Sequence, residues 1–355
     1  MANVCALSLE RRRVLLDPPV WSARGAHGQR DLLILKVQTD VGDFGYGEAS
    51  PLPGYSQGSM ADCERALQTL PHWQLSALAS LESSAEILEA VTACLPDDVP
   101  AARFALETAL LDRLGRRSGA PVSTLLGQLL GHPPSPIELC VLLGSEDPEL
   151  AARRVELALA SGFCTFKLKI GPERFTPPQQ ALLRSLRARF GADVELRLDA
   201  NQSLRRETWA EDLAAIAEQQ PEFLEEPVLG LTLDEARACP CPLAFDESLQ
   251  DMPVARMRAF LALPSRSVLV LKPTALGGLH ACIRLSQLAR ALGHDVVLSH
   301  TLEGPVGWAA CAHLASALGG VRAAGLAPLS HQAVGHSLGR GRLDVATEPG
   351  LGVLP

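Results

Sequence analysis

Five ionisable residues recur in the second half of the chain at intervals of about one strand plus one helix. They are Lys169, Asp199, Glu225, Asp246 and Lys272, so the successive spacings are 30, 26, 21 and 26 residues. Each follows an apolar or β-branched run, which predicts that each side chain ends a strand. In a closed barrel of alternating strands and helices, residues just past the C-terminal ends of the strands converge on one mouth, where such enzymes place their active sites. The spacing therefore predicts a lysine, three carboxylates and a second lysine around one site.

The three carboxylates, Asp199, Glu225 and Asp246, are typical ligands of a hard divalent cation. Brought together, they repel one another unless a cation lies between them, and Mg²⁺ prefers carboxylate oxygens and retained waters. Cysteine and histidine are absent from these strand ends, which disfavours zinc. Each carboxylate alone could instead cap a following helix, most readily Asp199 and Asp246. Three of them on consecutive strand ends favour a magnesium site.

The lysines indicate base chemistry. Lys167 and Lys169 lie two residues apart, so in a strand they point to the same side. Crowding by a second ammonium and a divalent ion, together with desolvation, lowers a lysine pKa, and a base that works near neutrality needs a pKa of roughly 7–8. Lysines that extend to the barrel rim are the alternative interpretation. Lys272 ends an apolar run before Pro273 and is most useful across the cavity from Lys169. Together these residues suit proton abstraction next to a carboxylate.

The elements that must position these residues change in character along the chain. Residues 1–135 combine strand-like segments with helices whose apolar residues recur every three or four positions, which predicts a separate α+β domain. Residues 136–319 alternate short apolar strands with helices of about 10 to 15 residues, the pattern of parallel strands and right-handed crossovers. Residues 320–355 are interpreted as the last barrel strand and a segment that returns to the first domain.

The strands of the second region are predicted to end at or beside the ionisable residues. They span residues 137–143, 165–169, 195–199, 223–225, 243–246, 268–272 and 296–299. An open doubly wound sheet alternates in the same way, but no Gly-x-Gly-x-x-Gly follows the first strand, and the distinctive residues are spread over five strand ends rather than one switch point. The predicted fold class is α/β, a TIM-type (β/α) barrel with a smaller α+β domain.

Composition and charge limit the location and the partners of the protein. The chain has 355 residues, 32 basic against 40 acidic, and a net charge of −8, so nucleic acid is a poor partner. No segment reaches the ~20 uncharged apolar residues of a membrane span, and residues 1–13 lack a signal-peptide stretch. Nine scattered cysteines are typical of reduced core residues. We therefore expect a cytoplasmic protein with a small-molecule substrate. The oligomeric state does not follow from the sequence.

The motifs around these residues resemble those of the enolase superfamily and, within its muconate-lactonising subgroup, those of the o-succinylbenzoate synthases. The resemblance covers almost the whole chain. In the barrel it rests on the paired lysines and on the segments Arg-Leu-Asp-Ala-Asn at 197–201, Phe-Leu-Glu-Glu-Pro at 223–227, Asp-Glu-Ser at 246–248 and Lys-Pro-Thr at 272–274. In the first domain it rests on Gly-Glu-Ala-Ser-Pro-Leu-Pro-Gly-Tyr-Ser at 47–56, the loop that favours the synthases.

The resemblance implies a capping domain, built from both chain ends, over a modified barrel. It implies a Mg²⁺ ion, for which Mn²⁺ is a substitute, with Asp199, Glu225 and Asp246 as its ligands. Where two glutamates adjoin, the family pattern assigns the ligand to Glu225, and Glu226 lies behind it.

The resemblance also implies roles for the lysines in a syn dehydration. Lys169 would remove the α-proton of 2-succinyl-6-hydroxy-2,4-cyclohexadiene-1-carboxylate and return it to the departing hydroxyl, giving 2-succinylbenzoate for menaquinone synthesis. Lys272 would stabilise the enediolate from the opposite face, in part by a cation–π contact with the ring. Lys167 would lower the pKa of Lys169 and also stabilise the enediolate.

Substrate contacts are expected beside Asp199 and on the last two strands. Gly325 matches a glycine whose backbone N–H binds the succinyl carboxylate, and His300 and Thr301 replace serines that are common in the synthases. His300 is interpreted as a polar residue of the cavity wall, with a catalytic acid as the alternative. The residues expected to bind substrate are Arg197, Asn201, Ser299, Thr301 and Gly325.

Two other functions remain open from the sequence. A racemase of N-acylamino acids, such as N-succinylamino acids, would use the same enediolate with Lys169 and Lys272 as acid and base, so the capping loops near 21–30 and 50–59 must decide specificity. The first loop contains Arg24 and several glycines and is predicted to be a mobile lid. A non-catalytic small-molecule binding protein would keep the fold and lose a lysine, but neither lysine is lost.

Overall fold

The structure is a computed structural model of the 355-residue chain. It describes residues 4–22, 25–144, 147–171, 175–329, 332 and 335–355. Within these ranges, no helix has both the length and the apolar character that crossing a membrane requires. The described elements form an antiparallel sheet with helices, followed by a ring of parallel strands.

The first part of the chain is a three-stranded antiparallel sheet with helices packed against it. The sheet runs in the order β1-β2-β3 and consists of β1 (Val4–Ser22), β2 (Gly25–Thr39) and β3 (Phe44–Ala49). The helices are α1 (Met60–Gln68), α2 (His72–Ala79), α3 (Ser84–Thr92), α4 (Pro100–Ser118) and α5 (Val122–Leu130). The three- and four-residue spacing of apolar residues predicts helices over 61–69, 84–94 and 101–114, which correspond to α1, α3 and α4. It missed α2 and α5, which are short and start directly after Pro71 and Pro121.

Helix α4 lies against β3 because that strand is rich in glycine. A Cβ atom at Gly47 would overlap the carbonyl of Ala105, and one at Gly45 would overlap the backbone of Ala109 and Arg113. Only residues without a side chain allow the helix to approach this closely. Gly45 and Gly47 thus allow the long buried helix to pack directly onto the sheet.

The second part of the chain is a ring of parallel strands. After the short strand β4 (Ile137–Glu138), a seven-stranded sheet runs from β5 to β11 in chain order. Its strands are β5 (Cys140–Leu143), β6 (Thr165–Lys169), β7 (Glu195–Asp199), β8 (Phe223–Glu225), β9 (Leu243–Phe245), β10 (Val268–Leu271) and β11 (Asp295–Leu298). Residues 323–325 take the eighth position, because Ala324 forms a parallel bridge with Leu139 and Gly325 forms one with Ser299. The predicted fold class, an α/β barrel with an α+β domain, is confirmed.

Helices separate the barrel strands. They are α6 (Pro148–Ala160), α7 (Pro177–Phe190), α8 (Trp209–Ala217), α9 (Leu233–Ala238), α10 (Val254–Leu261), α11 (Pro273–Leu276), α12 (Leu279–Ala291) and α13 (Pro305–Leu318). Several begin with proline in the first turn, where its missing N–H costs no hydrogen bond. Because helices return the chain between successive parallel strands, the C-terminal ends of all the strands lie at the same mouth of the barrel.

The end of the chain forms a hairpin and then contacts the first helices. The hairpin consists of β12 (Ser337–Gly339) and β13 (Arg342–Asp344), and β13 pairs with β4. Beyond it, the Leu351 N–H donates to Asp112 on α4 over 2.8 Å, and the Val122 N–H donates to the Gly350 carbonyl over 2.8 Å. The division of the chain at residues 135 and 319 stays a prediction.

The prediction of a loop near residues 21–30 was wrong for the described residues. Strands β1 and β2 stay paired to their ends, with Trp21 opposite Ala26 and Ser22 opposite Gly25. The described part of this segment is therefore a hairpin, and a mobile lid at its tip stays a prediction. Arg24 lies outside the described residues.

Glu107 on α4 joins the first part of the chain to the barrel. It is fully buried, and its Oε2 accepts hydrogen bonds from the backbone N–H groups of Leu279 and His280, at 2.5 and 3.2 Å. These N–H groups begin α12 and have no partner within that helix. A Cβ atom at Gly278 would overlap the Glu107 carboxylate, so the glycine makes room for it. A side chain from one domain therefore caps a helix of the other.

We expect Glu107→Gln to become more stable relative to the wild type as pH rises. Burial raises the pKa of Glu107 to about 8 from 4.5, so folding favours the protonated acid. The stability linked to this proton is present below about pH 4.5 and is lost as pH rises towards 8. Glutamine keeps an acceptor oxygen for Leu279 and His280 and cannot ionise. Urea unfolding at several pH values measures the difference. The exposed control Glu86→Gln should show no trend, and a pH-independent difference at Glu107 would contradict the prediction.

Candidate active site

The three predicted carboxylates lie side by side at the C-terminal ends of neighbouring strands. Asp199 ends β7, Glu225 ends β8 in register with it, and Asp246 follows β9 directly. Their exposed fractions are only 1%, 1% and 2%. Asp246 makes no capping hydrogen bond to the turn that follows it, so helix capping does not explain its burial. These short apolar strands end at acidic residues because the barrel core stops there and the mouth begins.

Lys167 lies between two of these carboxylates. Its Nζ is 2.8 and 2.7 Å from the two oxygens of Glu225 and 2.9 Å from Asp199 Oδ2. Burial alone would lower the pKa of the Lys167 ammonium, but the charges of Asp199 and Glu225 outweigh burial and raise this pKa. Lys167 is thus a fixed cation of the site. Without a divalent ion, the carboxylates around Lys167 thus act against the lowering of its pKa by burial and by Lys272.

Lys169 and Lys272 face each other across the barrel. Lys169 is on the second strand of an eight-membered ring and Lys272 follows the sixth, so they lie on opposite walls. The Lys169 Nζ is 2.6 Å from Asn201 Oδ1 and 3.4 Å from Asp199 Oδ2, and a third of its side chain is exposed. The Lys272 Nζ is 2.5 Å from Asp246 Oδ2. Against the lowering effect of burial, Asp246 and the other carboxylates raise the pKa of Lys272.

A cavity of about 150 Å³ lies between these two walls. Leu52 and Tyr55 of the first domain close it on one side, and His300, Thr301 and Leu302 line it after β11. It brings together seven of the predicted site residues, which are Lys167, Lys169, Asp199, Asn201, Asp246, Lys272 and Thr301. The arrangement places a substrate between two ammonium groups with carboxylates beside it.

The donor chemistry of the carboxylates fits a divalent cation. Within the described residues, no three His, Cys, Asp or Glu side chains form a metal cluster, and lysine ammonium groups contact the carboxylate oxygens. Burial and repulsion by Asp199 raise the pKa of Glu225 to about 8, although Lys167 opposes this, so the neighbouring carboxylates resist being charged together without a cation between them. Three buried hard oxygen donors on neighbouring strand ends are the kind of donor set that Mg²⁺ prefers.

Three residues predicted to bind substrate lie away from the cavity. The Arg197 guanidinium is buried inside the barrel, where it donates to Glu222 and to the Ala323 carbonyl, each over 2.6 Å. Ser299 and Gly325 contact each other: the Ser299 hydroxyl donates to the Gly325 carbonyl over 3.3 Å, and the Gly325 N–H donates to Leu298. Because these donors are already engaged, this geometry does not support substrate binding by Arg197, Ser299 or Gly325.

Thr301 and His300 line the cavity with their polar groups partly engaged. The Thr301 hydroxyl donates to the buried Glu303 over 2.7 Å. The Nδ1 atom of His300 accepts from the Leu302 N–H over 3.2 Å and lies 3.5 Å from Glu303. Thr301 and His300 are therefore fixed wall residues, and Asn201, whose amide donates to Glu247, reaches Lys169 directly.

Tyr55 is a site residue to which the sequence assigned no role. Its hydroxyl donates to Asp246 Oδ1 over 2.7 Å, and the Lys272 Nζ lies 4.4 Å from the centre of its ring. Tyr55 thus holds one carboxylate and one ammonium of the site from the first domain. The signal for it was the loop at 47–56, which resembles the synthases. Glu247, also lining the cavity, was missed because it follows Asp246 and has no separate motif.

Comparison with known proteins agrees with this fold. Residues 6–127 match the model of the mandelate racemase / muconate lactonizing enzyme N-terminal domain, and residues 149–355 match that of the enolase C-terminal domain-like family. The N-succinyl-L-Arg/Lys racemase of Bacillus cereus is 24% identical over 88% of this chain and 84% of its own. The o-succinylbenzoate synthase of Desulfotalea psychrophila is 27% identical over 86% of this chain and 88% of its own.

A solved structure gives the same result. The dipeptide epimerase from Methylococcus capsulatus, crystallised with Mg and the dipeptide L-Arg-D-Lys, superposes with a TM-score of 0.82 at 26% identity, covering 99% of this chain and 100% of that one. The similar proteins thus include a racemase, a synthase and an epimerase, three different activities. With both family models matching and the predicted barrel in place, the chain belongs to the enolase superfamily.

Proposed function

We propose that this protein is an o-succinylbenzoate synthase, a carbon–oxygen lyase that dehydrates 2-succinyl-6-hydroxy-2,4-cyclohexadiene-1-carboxylate to 2-succinylbenzoate. The observation that carries this choice is the cap loop. The segment at 47–56, whose sequence resembles the synthases, is the one that reaches the cavity, where Tyr55 contacts Asp246 and Lys272. The synthase of Desulfotalea psychrophila, similar over almost the whole chain, supports the proposal. Menaquinone synthesis and a cytoplasmic location follow from it as proposals.

The proposed mechanism assigns proton transfer to Lys169. Its amine takes the α-proton of the substrate carboxylate and returns it to the hydroxyl that leaves from the same face. Lys272, fixed by Asp246 and the Tyr55 ring, keeps an ammonium on the opposite face beside the developing negative charge. Lys167 adds a second fixed cation near the carboxylates. Preorganised charges of this kind stabilise a transition state without reorganisation.

We propose Asp199, Glu225 and Asp246 as ligands of Mg²⁺, with Mn²⁺ as a substitute. Bound Mg²⁺ supplies the Lewis-acid charge that stabilises an enediolate dianion. The burial of three carboxylates side by side at neighbouring strand ends supports this assignment, and the similar epimerase was crystallised with Mg. Of the predicted substrate contacts, Asn201 and Thr301 are carried forward, because both line the cavity.

A second candidate is a 1,1-proton transfer on an N-acylamino acid or a dipeptide. Lys169 and Lys272 on opposite walls suit the removal of a proton from one face and its delivery to the other. The similar racemase of Bacillus cereus and the epimerase structure favour this candidate. Both candidates use the same cation and the same lysines, so only substrate tests separate them.

Purified protein with Mg²⁺ and the cyclohexadiene substrate provides the deciding test. We expect formation of the aromatic product, followed by its ultraviolet absorbance, and no product when Mg²⁺ is removed with a chelator. A rate no higher than the uncatalysed background would end the synthase proposal. Deuterium incorporation at the α-carbon of an N-succinylamino acid or a dipeptide in D₂O, together with loss of optical activity, would then support the second candidate.

A further inference from the structure

Arg30 on β2 binds two separate loops of the active site at once. It is buried, and its guanidinium donates to four backbone carbonyls. Two belong to the cap loop: Nη2 donates to Ser50 over 2.6 Å and Nη1 to Pro51 over 3.3 Å. The other two follow β11: Nε donates to Leu302 over 3.2 Å and Nη2 to Thr301 over 3.4 Å. One side chain of the first domain therefore spans the joint between the domains.

Two buried carboxylates complete this joint. Glu48 on β3 accepts from the N–H groups of Gly304 and Gly307, at 2.6 and 2.9 Å, and so caps α13 of the barrel. Glu303 accepts from Thr274 and from the backbone and hydroxyl of Thr301. Both carboxylates interact electrostatically with Arg30. Removing a buried cation from between two buried carboxylates takes away the opposite charge that favours their ionised forms.

The two loops that Arg30 joins are the ones that shape the cavity. Leu52 and Tyr55 lie just beyond Ser50 and Pro51, and His300, Thr301 and Leu302 form the wall after β11. Leu302 adopts a positive φ of 63°, a backbone conformation that a leucine keeps only when its surroundings hold it there. The Arg30 bond to the Leu302 carbonyl and the His300 bond to its N–H provide such surroundings.

We propose that Arg30 is a positioning residue that holds the cap loop (47–56) and the wall at 299–304 in one arrangement. By doing so it sets the affinity of the site for substrate. It touches no reacting atom and acts through Tyr55 and His300. A single planar guanidinium is required, because its donors point in several fixed directions and can reach carbonyls of both loops. The role of Arg30 rests on the proposed synthase function in one respect only, which is the choice of substrate for the kinetic test.

Hydrogen exchange and kinetics of Arg30→Gln and Arg30→Lys test the proposal. In both variants we expect faster amide exchange in peptides covering 50–57 and 299–304 together, with no change in the strand at 195–199. We expect KM to rise at least about 10-fold while kcat changes less than about 3-fold, since such a loss removes substrate binding rather than transition-state chemistry. The Mg²⁺ affinity, measured by calorimetry, should stay that of the wild type. The exposed Arg13→Gln is the matched control and should behave as wild type in all three measurements.

Several outcomes would overturn the proposal. Exchange that increases in only one loop, or in neither, would show that Arg30 does not couple them. Wild-type exchange and KM in Arg30→Lys would show that charge alone matters, and a fall in kcat with unchanged KM would indicate a role in the chemical step. If Arg30→Gln does not fold, Arg30→Lys decides, because it keeps the buried charge. If the wild type shows no synthase activity, the proposed function fails while hydrogen exchange still tests Arg30.

Discussion

Lys169→Arg is expected to lower kcat for the dehydration by about 10²–10⁴-fold, although it keeps the positive charge. An arginine side chain stays protonated at any working pH and cannot accept a proton from carbon. The chain contains only four lysines, Lys36, Lys167, Lys169 and Lys272, and three of them line the cavity, so arginine supplies nearly all of the remaining cations. Lysine thus occurs where the side chain must be able to lose its proton, or where a small ammonium group must come close to the substrate. Initial rates at saturating substrate measure the effect.

Lys272→Arg separates the two candidate functions. In the synthase, Lys272 contributes a fixed charge beside Asp246 and the Tyr55 ring, and arginine keeps that charge. We therefore expect its loss of activity to be at least about 10-fold smaller than that of Lys169→Arg. In a racemase or epimerase, both lysines must exchange protons with carbon, so both variants should fail equally. Lys36→Arg, outside the cavity, is the control. More than a tenth of wild-type activity in Lys169→Arg would exclude Lys169 as the base.

The barrel and its charged strand ends could be predicted because both depend on local patterns. A short apolar run followed by Asp199, Glu225 or Lys272 indicates a buried strand that stops at a polar mouth, and the regular spacing fixes the order around the ring. In the structure Asp199 and Lys272 line one cavity, and Glu225 lies beside Asp199 on the neighbouring strand. Because parallel strands all run in the same direction, their C-terminal ends lie at the same end of the barrel.

The substrate contacts were harder to predict. The alternation of residues along a strand shows which side chains face the barrel interior, but not how far each one lies below the mouth. Arg197 points into the barrel as Asp199 does, but it lies two residues earlier, one layer below the mouth, and there it pairs with Glu222. Ser299 and Gly325 fall where the last strands bridge, so their polar groups close the barrel. Depth depends on where each strand starts in the ring, which local sequence does not encode.

Contacts between the two domains were not predictable from spacing at all. The spacing around Arg30, Glu48 and Glu107 gives no sign of these contacts, because their barrel partners are about 170 to 270 residues away in the chain. Each is a buried ionisable side chain of the first domain that satisfies backbone groups of the barrel. A buried charged residue needs a partner, so its presence in an apolar pattern is the signal that sequence inspection could use.

Glu225→Gln is expected to remove most of the stabilisation that Mg²⁺ gives the protein. Without metal, burial and Asp199 raise the pKa of Glu225 to about 8 and so favour its neutral form, but Lys167 contacts both of its oxygens, and a glutamine keeps only one acceptor for that ammonium. With Mg²⁺ at one hundred times its dissociation constant, the wild type gains about 2.7 kcal/mol. The variant lacks one of three charged ligands and should lose most of this gain and at least about 10²-fold in kcat/KM. Thermal unfolding with and without Mg²⁺, together with calorimetric titration, measures both effects.

Glu226→Gln is the matched control, since it makes the same change at the adjoining residue. Glu226 Oε1 accepts from the Asp246 and Ser248 N–H groups, at 2.7 and 2.9 Å, which a glutamine oxygen can still do. This variant should keep the rise in melting temperature that Mg²⁺ causes, while Glu225→Gln loses it. The opposite pattern would exchange the roles of the two glutamates. A rise in both variants would remove Glu225 from the ligand set, and with it the reason for three carboxylates to lie buried on neighbouring strand ends.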